Sequence, residues 1–145
     1  MEKSVQSKFK FLGFRIDHSD ITFKAKPEKD GGKMEISIVP SGVLEDRTFK
    51  LILAVAVNDE EKKYIDVHIT ATGEFEVSDL SKASLGFLTV NAPAILFPHI
   101  RAYVASLSAL SGYGTILMPA LNLTGLQDTL RKNIKGLESI EKAEA

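Results

Sequence analysis

Cysteine is absent from this chain of 145 residues, which excludes a disulfide framework, a thiolate nucleophile and a thiolate metal site. Net charge is also nearly absent, at −1, so no general field draws the chain to nucleic acid. Residues 1–33 are mildly basic, as a solvated strand face is. His18, His68 and His99 show no metal-binding spacing, and no metal or cofactor is expected. Asp66, Glu74 and Glu76 share a strand face with no sign of the concave pocket an acid/base pair needs. Gly31 and Gly32 precede no apolar helix, so they form no phosphate loop. Gly112-Tyr113-Gly114 lacks the pair of spans that a channel filter requires. No repeat, low-complexity tract or catalytic constellation stands out, and an enzyme is not expected. The Met1-Glu2-Lys3-Ser4 start leads into alternating Lys and Phe rather than a secretory signal, so the expected location is the cytoplasm.

Charge is scarcest between Ala83 and Gln127, where Arg101 is the one formal charge. Such a stretch must be hidden in a bilayer, a core, a subunit interface or a surface for apolar ligands. A spanning helix needs about 20 mostly apolar residues. The best window, Ala94 to Ser111, holds Pro98, His99, Arg101 and three serines, which are costly at mid-bilayer. Membrane insertion is therefore not expected. The length fits one domain over 1–145, with 1–8 and 138–145 as frayed ends.

What is present reads as strands, then helices. Phe9, Phe11, Phe14, Ile16, Ile21 and Phe23 alternate with polar residues, with parity flips near Gly13 and near Ser19-Asp20. These flips predict one long strand with a bulge and a bend. Pro27 to Lys33 reads as a turn. Met34, Ile36 and Ile38 form a short second strand closed by Pro40-Ser41-Gly42. Phe49 to Val57 is apolar on both faces in its middle, as in a central strand. Ile65, Val67, Ile69, Ala71, Phe75 and Val77 alternate with polar residues in a fourth strand with one wet face. Asn58 to Lys63 joins the last two as a hairpin.

A first helix is expected from Asn91-Ala92-Pro93 to Gly112, kinked or reset at Pro98. It is apolar or small nearly all round, and such a helix must be buried on both sides. One four-stranded sheet covers only one side, so the pattern predicts oligomerisation through the small residues Ala102, Ala105, Ser106 and Ala109 with Leu107. After an extended connector, Thr124 and Gln127 have capping-box spacing. Leu126, Leu130, Ile134 and Leu137 then give a second helix fading after Ile140.

Ile95-Leu96-Phe97-Pro98-His99-Ile100-Arg101, followed by Met118-Pro119-Ala120-Leu121-Asn122-Leu123, resembles the paired signatures of the SecB family of export chaperones. Collinear similarity runs roughly from Phe9 to Leu130, through Arg15-Ile16, Asp20-Ile21-Thr22-Phe23, the Phe49–Val77 hairpin and Gly86. The resemblance implies an α+β subunit of four antiparallel strands and two C-terminal helices, assembled as a dimer of dimers with the first helices at its centre. It implies an ATP-independent holdase that binds unfolded polypeptide clients and passes them to the motor SecA. The matching client-groove positions are Met34, Ile36, Ile38, Ile116, Leu117, Leu121 and Leu123, with Leu126, Leu130 and Ile134 as a movable wall.

The sequence departs from that family at its acidic SecA-docking patch. Asp20 matches an acidic position, Lys24 and His68 replace two others, and Asp66 replaces an apolar one. The holdase role is better supported than the export partner. The other functional reading is a structural or apolar-ligand-binding oligomer on the same fold. Within the chaperone reading, the duty is either general export or service to one antitoxin-type client.

Overall fold

The computed structural model describes residues 8–25, 33–59 and 64–137. Of the ends expected to fray, 1–7 and 138–145 lie outside these residues. Lys8 is held: its carbonyl accepts from the Ser78 backbone at 2.9 Å and its Nζ lies 3.0 Å from Asp79. The expected turn at 27–33 lies mostly outside the described residues, as does the middle of the 58–63 connection.

Strand β1 (Phe9–Phe23) pairs antiparallel with β4 (Ile65–Val77), and its register slips between Phe11 and Gly13 and again between Ile16 and His18. The first slip is the expected bulge, with Gly13 at φ 137°. It places Phe11 and Phe14 on the same side, where both stack on His99 at 5.6 and 4.5 Å between ring centroids. The second slip falls at Asp17, earlier than the Ser19-Asp20 flip suggested.

Strand β2 (Met34–Glu45) corrects the expectation of a short strand ending at Pro40. It stays in unbroken register with β3 (Thr48–Asp59), from Met34 opposite Asp59 to Glu45 opposite Thr48. Asp46, at φ 54°, helps turn the hairpin. Pro40 and Gly42 are compatible with a strand for separate reasons. The Pro40 carbonyl faces away from β3 and accepts from Asn133 Nδ2, so its nitrogen also faces the outer edge, where no ladder donor is needed. A Cβ on Gly42 would lie 2.7 Å from the buried Phe49 ring. Gly42 is thus needed for close packing, and no turn forms there.

The sheet order is β1-β4-β3-β2-β5, where β5 is Ile134–Lys135 and pairs parallel with Gly42 and Val43. The expected four antiparallel strands are therefore joined by a short fifth, parallel one. Central β3 buries Phe49, Leu51, Leu53, Val55 and Val57, while β4 buries Ile65, Val67, Ile69, Ala71, Phe75 and Val77 on the same layer.

Helix α1 (Lys82–Ala109) covers that layer. It begins well before Asn91, because the Ser81 side chain caps the backbone of Ser84 at 3.2 Å. Pro93 and Pro98 both lie inside it. An interior proline costs about 3 kcal/mol. Burying Leu85, Leu88, Leu96, Phe97 and Ile100, at roughly 1.5–3 kcal/mol each, outweighs both. Gly112 and Gly114, at φ 86° and 111°, then reverse the chain.

The long second helix is not formed. A 3-10 turn (Thr124–Leu126) leads to α2 (Gln127–Lys132), after which Asn133 and β5 leave the helix for the edge of β2. The Gly42 N–H donates to the Asn133 carbonyl at 3.1 Å, so the sheet edge supplies partners that further helix would have supplied. The capping box also fails. Thr124 Oγ1 donates to Asn122, and Gln127 Nε2 reaches across to Gly86 and Thr89 on α1.

Candidate functional site

The outer edge of β2 divides into two parts. At Gly42–Leu44 it is covered by β5 and Gly136, whose Cβ would strike the Leu44 carbonyl. From Met34 to Ile38 it has no partner strand among the described residues. Lateral direction alternates along a strand, and the Gly42 amide and Pro40 carbonyl both face outward. In the same unbroken register the N–H and C=O groups of Met34, Ile36 and Ile38 face outward too. Their side chains lie on the inner apolar face, where Ile36 and Ile38 pack half-buried against the core and Met34 is exposed. These residues thus offer backbone hydrogen bonds and apolar side chains along one line, roughly 17 Å long at 3.3–3.4 Å per residue.

The connector after α1 supplies the other apolar surface. Ser108, fully buried on α1, accepts from the Ile116 N–H at 2.7 Å. Arg101 Nε donates to the Met118 carbonyl. Between these anchors Ile116 and Met118 point inward, and Leu117 is left 58 % exposed. Leu121 is exposed and Leu126 and Ile134 are half-buried, whereas Ile116, Leu123 and Leu130 are sealed in the core. Leu130, expected in a movable wall, is fully enclosed. As folded, Ile116 and Leu123 present little surface to a ligand and Leu130 none.

The outer side of α1 is left uncovered by its own sheet. Ala102, Ser106, Leu107 and Ala109 are exposed and Ala105 is half-buried. Sequence reasoning missed Phe14, Phe87 and Leu110, which are also large, apolar and exposed. By length and composition α1 could cross a membrane, but half of its most apolar window is buried within this chain.

The four docking-face positions meet at one corner of the open sheet face. Asp20 pairs with His68 and Thr22 with Asp66 across β1 and β4, and Asp66 Oδ1 is 3.0 Å from His68 Nε2. Lys24 follows the end of β1, its N–H bonded to the Tyr64 carbonyl. Farther along, Arg15 bonds Glu74 and Asp17, each at 2.9 Å. These contacts hold the Arg15 guanidinium above its ordinary pKa, Glu74 contributing most. Among the described residues no group of three His, Asp or Glu side chains could hold a metal ion.

This arrangement defines a small α+β domain whose strand edge and helix face leave apolar surface open. Residues 10–132 match the family described as preprotein translocase subunit SecB, and the chain belongs to the SecB family. An uncharacterized protein of Methanocaldococcus jannaschii is 24% identical over 140 residues, covering 91% of this chain and 90% of that one. The fold is similar to that of the SecB-like chaperone Rv1957 of Mycobacterium tuberculosis, solved in complex with a ChAD peptide from the HigA1 antitoxin. That likeness has a TM-score of 0.65 at 11% identity and covers 79% of this chain and 88% of the other.

Proposed function

We propose that this protein is an ATP-independent holdase of the cytoplasm, binding unfolded polypeptides at the open edge of β2. The observation that carries the reading is the stretch Met34–Ile38, which has no partner strand among the described residues, with its outward backbone groups and inward apolar side chains. A non-native segment in extended form can add there as a further strand, its backbone giving affinity regardless of sequence and its alternate side chains meeting the apolar face. Exposed Leu117 and Leu121 add apolar surface for the same client.

Apolar burial contributes roughly 25 cal/mol per Å², and ordering a flexible client offsets much of it. One groove therefore binds weakly, and repetition raises avidity. The uncovered face of α1 supports a homotetramer, a dimer of dimers built through Ala102, Ala105, Ser106, Leu107 and Ala109. The test is aggregation of a slow-folding client with equimolar protein and no nucleotide. Suppression supports the reading, and unchanged aggregation rejects it.

Service to one dedicated client is a second reading. It is supported by the antitoxin peptide held by the M. tuberculosis chaperone of similar fold, and by Lys24 and His68 at the corner where SecA would dock. Affinity for one peptide far above that for other unfolded chains would establish it.

A further inference from the structure

We infer that Arg101 and Ser108 form a clamp that positions Leu117 as a fixed apolar anchor for the client; this rests on the client-binding reading above. Ile116, Leu117 and Met118 are all large and apolar, so composition does not decide which of them faces outward. Burial does, with Ile116 and Met118 packed inward, and two hydrogen bonds hold the backbone on either side of Leu117. Ser108 lies fully buried on α1, donating its hydroxyl to the Val104 carbonyl at 2.7 Å while accepting from the Ile116 N–H at 2.7 Å. Seven residues earlier on the helix, Arg101 donates Nε to the Met118 carbonyl. One residue on each side of Leu117 is therefore tied to the same helix.

With both neighbours tied and turned inward, the alternation of an extended chain leaves Leu117 pointing out. Its exposure, 58 %, contrasts with 4 % for Ile116 and 0 % for Met118. Arg101 makes no ion pair among the described residues, although it is the one charge in its apolar stretch. Its identified polar contact is the carbonyl of the connector, and a charged donor makes the stronger hydrogen bond. The two left-handed glycines, Gly112 and Gly114, bring the chain back to this clamp, which then restricts the segment they release. A restricted apolar side chain binds without a large further loss of freedom. Arg101 and Ser108 are thus positioning residues, and Leu117 is the contact they present.

The test is a pair of double-mutant cycles on the full chain, joining Leu117→Ala with Arg101→Met and, separately, with Ser108→Ala. Affinity is read by fluorescence anisotropy with a labelled peptide of alternating leucine and threonine with lysine ends, below the melting temperature of every variant. Leu117→Ala should weaken binding about tenfold in the parent and less than about twofold where the clamp is broken. Arg101→Lys, which keeps a donor for the Met118 carbonyl, should restore most of the Leu117 effect. If Arg101→Met does not fold, the Ser108→Ala cycle decides. Additive effects would overturn the clamp while leaving peptide binding intact. A parent that does not bind the peptide overturns the client-binding reading itself.

Discussion

Leu117 and Leu130 are both leucines from the client groove that the family resemblance implies, and the structure assigns them opposite consequences on truncation. Leu130 is fully enclosed, so Leu130→Ala opens a cavity and costs about 2–5 kcal/mol. In a domain of this size that is a fall in Tm of roughly 5–20 °C. Leu117 is 58 % exposed, so its truncation should alter stability by less than about 0.5 kcal/mol. Its effect should appear on binding. Covering the exposed part of a leucine contributes about 1–1.7 kcal/mol, or close to tenfold in Kd. Thermal melts and peptide anisotropy on the two variants separate these effects. A stable Leu130→Ala that has lost client binding, or a Leu117→Ala that melts as low as Leu130→Ala, would refute the division into core and groove.

Other predictions concern the assembly and its charges. Light scattering should give about four subunit masses for the parent, and Leu107→Glu should split or unfold the assembly, since an unpaired buried charge costs several kcal/mol; a concentration-independent monomer contradicts this. Asp79 is held below the ordinary carboxylate pKa, first by the Ser81 backbone N–H and then by Lys8. Its stabilisation is complete above the unfolded value and is lost as pH falls through the lower folded one. The Tm difference between parent and Asp79→Asn should therefore be full at neutral pH and close below about pH 4; a pH-independent difference refutes it. Binding to SecA should be weak and salt-sensitive, because exposed pairs contribute about 0–1 kcal/mol each. Calorimetry on parent and the Lys24→Glu, His68→Glu variant should show recovery, whereas tight, salt-insensitive binding of the parent would contradict it.

The parts of the fold legible in the sequence were those where one local pattern matched one tertiary role. Strand β4 has a single wet face, so its alternation could be read directly, and the Gly13 bulge showed as a parity flip. Pro40, Ser41 and Gly42 look like a turn and so hide the full length of strand β2. Their actual reasons are an outward-facing proline nitrogen and the Phe49 ring against Gly42, and both depend on other strands. Pro93 suits a first turn and so points to a later start for α1, yet the cap is Ser81 and packing offsets the prolines. The step from Leu130 to Ile134 mimics helix, but the edge of β2 captures the chain after Lys132. For the groove, apolar character was legible and direction was not. Ile116, Leu117 and Met118 are alike in composition and are told apart by packing, with Ile116 and Met118 buried and Leu117 exposed.

Amide hydrogen exchange, with and without a bound unfolded client, tests the central claim most directly. The outward N–H groups of Ile36 and Ile38 should exchange quickly in the free protein and become protected when a client strand adds to the edge. Gly42, already bonded to Asn133, should be protected in both states. A bound client that leaves Ile36 and Ile38 unprotected would contradict binding at the β2 edge.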